Sequence, residues 1–328
     1  MANLLSGIKP SGRLQLGNYL GALKNFVDLQ NSGQYQCYFF IADLHSLTEE
    51  FNPDEKKQQI LDLLASYLAI GLNPKKSVIF IQSQAPASTE LAWILNTITP
   101  FGELERMTQF KDKAARREMD GVNVGLFAYP TLMAADIILY DTAFVPVGED
   151  QLQHLELTRT LVRKFNNRFG ETFIEPQPLM TKTPRLMSLQ DPSRKMSKTE
   201  PQGCIFLDDQ PEEIEKKLMS AVTDSGSEVK HDWANKPGIS NLLEICSALV
   251  GKEVTELEKE FENKNYARFK KSAAKLISKH FAGFRKKKEK LLNQPEKLYK
   301  IAARGAKTAN KIAQEKIELV KARVGLLV

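Results

Sequence analysis

The chain has 328 residues, 42% hydrophobic and 26% charged, enough for one large core and a smaller one, so two domains are expected. Its mean hydropathy of −0.33, with apolar runs cut by charge well before the roughly 18 residues of a membrane span, excludes a transmembrane protein. The net charge of +6 is uneven: residues 1–190 hold 18 Lys+Arg against 20 Asp+Glu, and residues 191–328 hold 28 against 20.

In chain order, an apolar stretch around Asn3 to Ile8 leads into a turn, Lys9-Pro10-Ser11-Gly12, and a helical pattern through Leu14, Tyr19, Leu20, Leu23, Phe26 and Val27. A second strand, Cys37 to Ala42, precedes a long helix from Pro53 to Ile70, and a third strand covers Ser77 to Gln82. Alternating strands and helices imply parallel pairing by right-handed crossovers, a doubly wound α/β sheet whose ligands lie at the carboxyl ends of its strands. Then come helical segments from Glu103 to Arg117 and Leu126 to Tyr140, a short strand Ala143 to Val147, and a helix from about Glu149 to Phe169. Glu175-Pro176-Gln177-Pro178 and Asp191 to Thr199 read as loop. After Asp208 the expectation is all helix: Pro211 to Ala221, Ile239 to Val250, Glu253 to Phe261, Tyr266 to Phe284 and Glu296 to Val324.

The shifts in charge and class place a boundary at 190, between an α/β domain, 1–190, and an all-helical one, 191–328. From Lys264 onward 19 basic residues face 4 acidic ones, which suits a polyanion, with a solvated helical surface as the competing reading. The first residues, Met1 to Gly7, show neither a basic nor an apolar leader region, and Cys37, Cys204 and Cys246 lack any Cys-x-x-Cys spacing. A cytosolic chain without a disulfide framework or zinc site is the expectation.

Three constellations could carry chemistry. The turn Lys9 to Asn18 offers backbone N–H groups and a helix N-terminus, which suit phosphate, yet Gly7, Gly12 and Gly17 match neither nucleotide-loop fingerprint, and an ordinary turn competes. In Arg194-Lys195-Met196-Ser197-Lys198-Thr199 two lysines flank a hydroxyl and could close on a departing pyrophosphate; a plain surface loop is the alternative. Asp136 is the single charge between Leu126 and Tyr140, on one helical face with Tyr129 and Met133. A buried carboxylate needs a donor, either a neighbouring protein group or a ligand N–H. Asp43 and His45 follow the second strand, Gly148-Glu149-Asp150-Gln151 joins a strand to a helix, and Lys111 is solvated unless the fold brings it to the crevice.

The order and spacing of these motifs resemble the bacterial tryptophanyl-tRNA synthetases, a family of class I aminoacyl-tRNA synthetases. Gln15-Leu-Gly-Asn18 looks like the His-Ile-Gly-His signature, and Lys195-Met-Ser-Lys-Thr199 like the Lys-Met-Ser-Lys-Ser loop. Gly102 to Lys111, Leu132-Met-Ala-Ala-Asp136, Val145-Pro-Val-Gly-Glu-Asp-Gln151, Ala221 to Ser225 and Lys236 to Leu242 are similar to segments specific to that family.

The resemblance implies a Rossmann-like catalytic domain that turns tryptophan and ATP-Mg2+ into tryptophanyl-adenylate and pyrophosphate, then transfers the acyl group to tRNA. It implies ATP contacts from Lys9, Pro10, Ser11, Gln15, Gly17, Asn18, Gly148, Glu149, Asp150, Leu186 and Lys195 to Thr199. Lys195, Ser197, Lys198 and Lys111 would stabilise the phosphates. Asp136 would accept from the indole N–H, with Leu5, His45, Tyr129, Met133, Val145, Val147 and Gln151 around it. No structural metal or tightly bound cofactor is implied; a homodimer is, and the basic helical part would bind the tRNA. Gln15 stands where class I enzymes carry His or Thr, Leu5 where an aromatic is frequent and Lys9 where Gln is common. A tyrosyl-tRNA synthetase, a small-molecule nucleotidyltransferase and a silent RNA-binding paralogue are the rivals.

Overall fold

The computed structural model describes residues 1–114, 122–180 and 185–327. Strand β1 (Ala2–Ile8) is followed by a helical run containing α1 (Leu16–Asn18), a wide turn at Tyr19–Leu23 and α2 (Lys24–Ser32). Next come β2 (Tyr35–Ile41), α3 (Pro53–Ile70), β3 (Ser77–Ile81), α4 (Ala87–Asn96), α5 (Phe101–Glu105) and α6 (Thr108–Ala114). Helix α7 (Val124–Ile138), β4 (Thr142–Val147), α8 (Leu152–Phe169) and β5 (Gln177–Met180) complete the sheet region. The remainder is α9 (Pro211–Met219), α10 (Pro237–Val250), α11 (Val254–Glu260), α12 (Tyr266–Leu292) and α13 (Pro295–Arg323).

The five strands are parallel in the order β3-β2-β1-β4-β5. The order reverses between β1 and β4, and the crevice at such a switch point is where doubly wound sheets bind ligands. Local chemistry sets the element ends. Helix α3 starts where Asn52 accepts from the Asp54 N–H at 3.0 Å, with Pro53 in its first turn, and stops at Gly71, whose φ of +125° disfavours any residue with a Cβ. Helix α7 starts where the Asn123 side chain accepts from the Leu126 N–H at 2.8 Å.

Two expectations fail. The segment read as loop at Glu175 to Pro178 runs into β5, whose first two residues it contains and which pairs with β4 through Val145↔Pro178. Proline reads as a strand breaker because it lacks an N–H, but β5 is an edge strand and is paired on one side only. The single helix expected from Glu103 to Arg117 is two, α5 and α6, with residues 115–117 outside the described part.

The chain forms two compact units: Met1–Ser11, Phe26–Thr181 and Gln294–Val328 in the first, Gly12–Asn25 and Lys182–Asn293 in the second. This differs from a division at 190 in that α13 belongs to the first unit and the turn after Ser11 to the second. The reason lies in α13 itself. Beneath its basic residues runs a buried stripe of Ala302, Ala306, Ala309, Ala313, Ile317 and Val320, and Gly305 lets the helix backbone lie against β3. A Cβ at Gly305 would sit 1.8 Å from the Ile79 carbonyl oxygen. Lys316 is spent internally on Asp141 at 2.6 Å and on the Thr172 carbonyl at 3.0 Å. The second unit packs Ile214, Leu218, Leu243, Phe269, Ile277 and Phe281 into its own core.

Candidate functional site

In the first unit, two strand-end segments converge on Asp136. The Asp43 carboxylate accepts from the Leu44 N–H at 3.1 Å and the Ser83 N–H at 2.9 Å, which ties the turn after β2 to the turn after β3. That places His45 Nε2 2.8 Å from Asp136 Oδ2. The same oxygen accepts from Gln82 Nε2 at 2.7 Å, while Gln82 Oε1 accepts from the Leu44 N–H at 3.1 Å. With its oxygen committed to a backbone N–H, the Gln82 amide can present only its nitrogen to the carboxylate. Asp136 is 4% exposed. Among the described residues its Oδ1 accepts no hydrogen bond, so the acid is oriented by two side chains and retains one acceptor.

Around it, Tyr129 meets the His45 ring edge-on and its hydroxyl lies 2.7 Å from His154 Nε2; burial pushes its phenol up to about 12. Leu5, Val145 and Val147 are buried in one apolar cluster with Ala134, Ile137 and Tyr140, and Met133 packs against it half-buried. Burial, with Asp136 and Tyr38 nearby, raises the Tyr140 phenol. Gln151 is half-buried and donates to Asp150 Oδ2 at 2.9 Å. Gln82 is the residue sequence reasoning missed. The available signal was a polar amide directly after the apolar strand Ser77–Ile81, at the carboxyl end where such sheets bind ligands.

Of the other sites expected in this unit, Lys9 is paired with Glu49 at 2.6 Å, Pro10 is buried and Ser11 exposed. Gly148 precedes exposed Glu149 and Asp150, and a Cβ there would meet Asp150 Oδ1 at 2.8 Å. Lys111 is exposed on α6. A separate apolar groove of about 310 Å³ runs between α4 and α7, lined by Leu47, Ala92, Trp93, Tyr129 and Leu132 among others. It shares Tyr129 with the Asp136 cluster but does not include the acid. Trp93 at its wall is 71% exposed, and Phe101 and Val124 are also exposed.

The second unit holds the other half of the expected residues. Gln15 begins α1 with its backbone N–H donating to Asn18 Oδ1 at 3.1 Å. The lysine-bearing loop is a narrow turn. Ser188 N–H donates to the Arg194 carbonyl at 2.8 Å and Met196 N–H to the Leu186 carbonyl at 3.0 Å. Met196 and Leu186 are buried and anchor the turn. Lys195 and Thr199 are exposed, Ser197 and Lys198 half-exposed, and the Ser197 and Thr199 hydroxyls lie 2.8 Å apart.

The basic run at 285–288 is only partly a surface. Lys288 is buried on Asp208 at 2.7 Å and Arg285 donates to the Ser278 carbonyl, leaving Lys286 and Lys287 exposed. Burial alone would raise the Asp208 carboxyl, but Lys288 and Arg13 outweigh it and hold it below its ordinary value. All three cysteines are buried and free, and among the described residues no helix is long and apolar enough to cross a membrane.

The family model for class I tRNA synthetases (W and Y) matches residues 1–282. A tryptophan–tRNA ligase of Caldanaerobacter subterraneus subsp. tengcongensis is 48% identical over 330 residues, covering 100% of this chain and 99% of its own. That of Oceanobacillus iheyensis is 46% identical over 329 residues, covering 99% of each. Tryptophanyl-tRNA synthetase from Mycoplasma pneumoniae superposes with a TM-score of 0.88 at 36% identity over 100% of this chain and 98% of that one. The Campylobacter jejuni synthetase complexed with ADP and tryptophan gives 0.87 at 37% identity, over 99% and 100%.

Proposed function

The chain belongs to the class I tRNA synthetases of the tryptophan and tyrosine group, and from that premise we propose which of its residues carry the reaction. The activity is tryptophan–tRNA ligation: tryptophan and ATP give tryptophanyl-adenylate and pyrophosphate, and the tryptophanyl group then passes to the 3′ end of the tRNA.

Asp136 Oδ1 accepts the indole N–H. The observation that carries this is the division of labour on one buried carboxylate: Oδ2 is held by Gln82 and His45, and Oδ1 accepts nothing among the described residues. Indole nitrogen is a donor only, so an acceptor fixed in an apolar surround is its complement. Phenylalanine would leave the acceptor unpaired, which such sites reject by about 10⁴ to 10⁵. Tyrosine brings a donor of its own, so shape, set by side chains such as Tyr129, Met133 and the β4 valines, must discriminate against it. Pyrophosphate exchange measured with each of the twenty standard amino acids tests the reading; exchange driven by tyrosine and not by tryptophan would overturn it.

On the ATP side, Lys9, Pro10, Ser11 and Gly148 to Asp150 in the first unit, and Gln15, Gly17, Asn18, Leu186 and Lys195 to Thr199 in the second, are the groups assigned to the nucleotide. Lys195, Lys198 and Lys111 supply positive charge as pyrophosphate departs, with Ser197 donating through its hydroxyl; no covalent enzyme intermediate is needed, because positioning and charge carry the step. Mg2+ arrives with ATP, held largely by phosphate oxygens and water. The exposed lysines of α12 attract the tRNA backbone without reading it. A homodimer is supported by the apolar groove between α4 and α7 with exposed Trp93, Phe101 and Val124 beside it, since lone domains seldom expose so many large apolar groups together. A cytoplasmic location suits this substrate set.

A further inference from the structure

The amide at position 15 raises a problem that a hydroxyl there would not. Its oxygen and nitrogen ends have nearly the same shape and opposite chemistry, and half a turn about the last side-chain bond exchanges them. Toward a phosphate one orientation donates and the other repels. An amide serves an anion well only if something decides which end faces out.

In this chain a buried thiol decides it. Cys204 Sγ donates to Gln15 Oε1 at 3.2 Å, across 189 positions of sequence. The amide oxygen is thereby turned inward, and Nε2 is left over the first turn of α1, where a Cβ at Gly17 would lie 3.9 Å from it. Among the described residues Gln15 Nε2 donates to nothing. The backbone around the pair is locked as well. Leu16 N–H donates to the Ile205 carbonyl at 2.9 Å and Leu207 N–H to the Leu14 carbonyl at 3.0 Å, with Gln15 bridged to Phe206. Arg13 then clasps Asp208 at 2.8 Å and Asp209 at 2.7 Å while its guanidinium sits 4.3 Å over the Phe206 ring. Asp209 is itself fully buried on Lys217 at 2.7 Å. The strips 13–16 and 204–209 are therefore one docked pair.

We infer that Cys204 is a positioning residue for the activation step: its S–H holds the Gln15 amide with the nitrogen outward, ready to donate to an ATP phosphate oxygen. The inference rests on the reading of Gln15 as an ATP contact. Burial pushes the Cys204 thiol up to about 11, so it remains a donor throughout the neutral range.

The test is ATP-dependent pyrophosphate exchange by the full-length enzyme. Cys204→Val removes the donor and adds about one methyl group; it is expected to raise KM for ATP about threefold to tenfold, the range for one neutral hydrogen bond, with KM for tryptophan unchanged. Cys204→Ser restores a donor and should recover most of the loss. In the double variant, Cys204→Val should add nothing to Gln15→Ala. A Cys204→Val effect that persists at full size in the Gln15→Ala background, or its absence where Gln15→Ala is impaired, overturns the positioning role. If Gln15→Ala itself leaves ATP kinetics unchanged, the reading of Gln15 falls and the role of Cys204 falls with it. Thermal midpoints of each variant separate loss of fold from loss of orientation, and the serine variant keeps the comparison available if the valine one is unstable.

Discussion

The Asp136 cluster in the first unit and the Lys195 loop in the second place opposite charges in opposite surroundings, for different reasons. Asp136 is almost wholly buried, with two side chains fixing one of its oxygens; Lys195 is exposed on a turn anchored by buried Met196. A recognition group that must tell one amino acid from nineteen others gains from being desolvated and held before the ligand arrives, because a mismatched ligand then leaves it unpaired. A group that meets growing negative charge on a departing pyrophosphate must be ionised and can start out hydrated, its effect growing as bound substrate displaces that water. On the proposed roles, selectivity falls to a buried group and charge stabilisation to an exposed one.

The sharpest way to break this contrast is at its buried end. Asp136→Ala removes the acceptor and strands Gln82 Nε2 and His45 without their partner, a loss of about 2–4 kcal/mol, or roughly 30-fold to 10³-fold in kcat/KM for tryptophan. ATP binding, followed by equilibrium titration, should be nearly unchanged. Normal tryptophan-dependent exchange in this variant would remove Asp136 from the mechanism. Lys195→Ala should behave in the opposite way. It lowers kcat by roughly 10², the scale of one lost charge-stabilising donor, while leaving KM for tryptophan near the parent value. An unchanged rate constant would remove Lys195 from the step.

These opposite responses also account for what sequence could and could not disclose. The pairing of buried Asp136 was legible because a lone charge in an apolar helix is costly and demands a partner, and the lysine-bearing segment was legible as a loop from its composition. The helices starting at Pro53 and Pro211 were legible from a local start signal, the proline in the first turn, whereas the one starting at Pro237 was expected only from Ile239. Gln82 was not, because its meaning comes from a carboxylate 54 positions away. Gln15 stood out as a departure from the family's His or Thr, but its partner Cys204 lies 189 positions away and nothing local marks it. The basic face of α13 concealed an alanine stripe that docks on β3 through Gly305, so a division by charge separates that helix from the compact unit in which it packs. Strand β5 was hidden by Pro178 within it and Pro176 just before it, a pattern that an edge position tolerates. The missed features are all long-range pairings, in which two residues acquire a role together.

Ionic strength offers a finer test of the contrast. With a Debye length falling from about 10 Å at 0.1 M to about 3 Å at 1 M salt, exposed charges lose attraction that buried ones retain. Raising salt over that range should weaken KM for ATP severalfold and KM for tryptophan by less than a factor of about two. Equal weakening of both would mean that the Asp136 site is far wetter than its burial implies.

The smallest effect concerns acid, and it distinguishes the second unit by its stability. His280 Nε2 lies 2.9 Å from the Tyr19 hydroxyl, and burial, reinforced by Lys24, lowers its pKa below the ordinary 6.5. In the window between that lowered value and 6.5 the unfolded chain binds a proton that the folded chain refuses. Stability contributed by His280 is therefore complete above about pH 6.5 and is lost as pH falls through the folded pKa. Asp208, whose carboxyl is also lowered, acts in a separate window: its contribution is complete above about pH 4 and disappears only as pH drops through its still lower folded value. Amide exchange protection on α12 should accordingly begin to fall below pH 6.5, after correction for intrinsic exchange, and His280→Gln should flatten that first decline while leaving the deeper acid transition. If the decline survives the substitution, some other group sets the acid response of the helical unit.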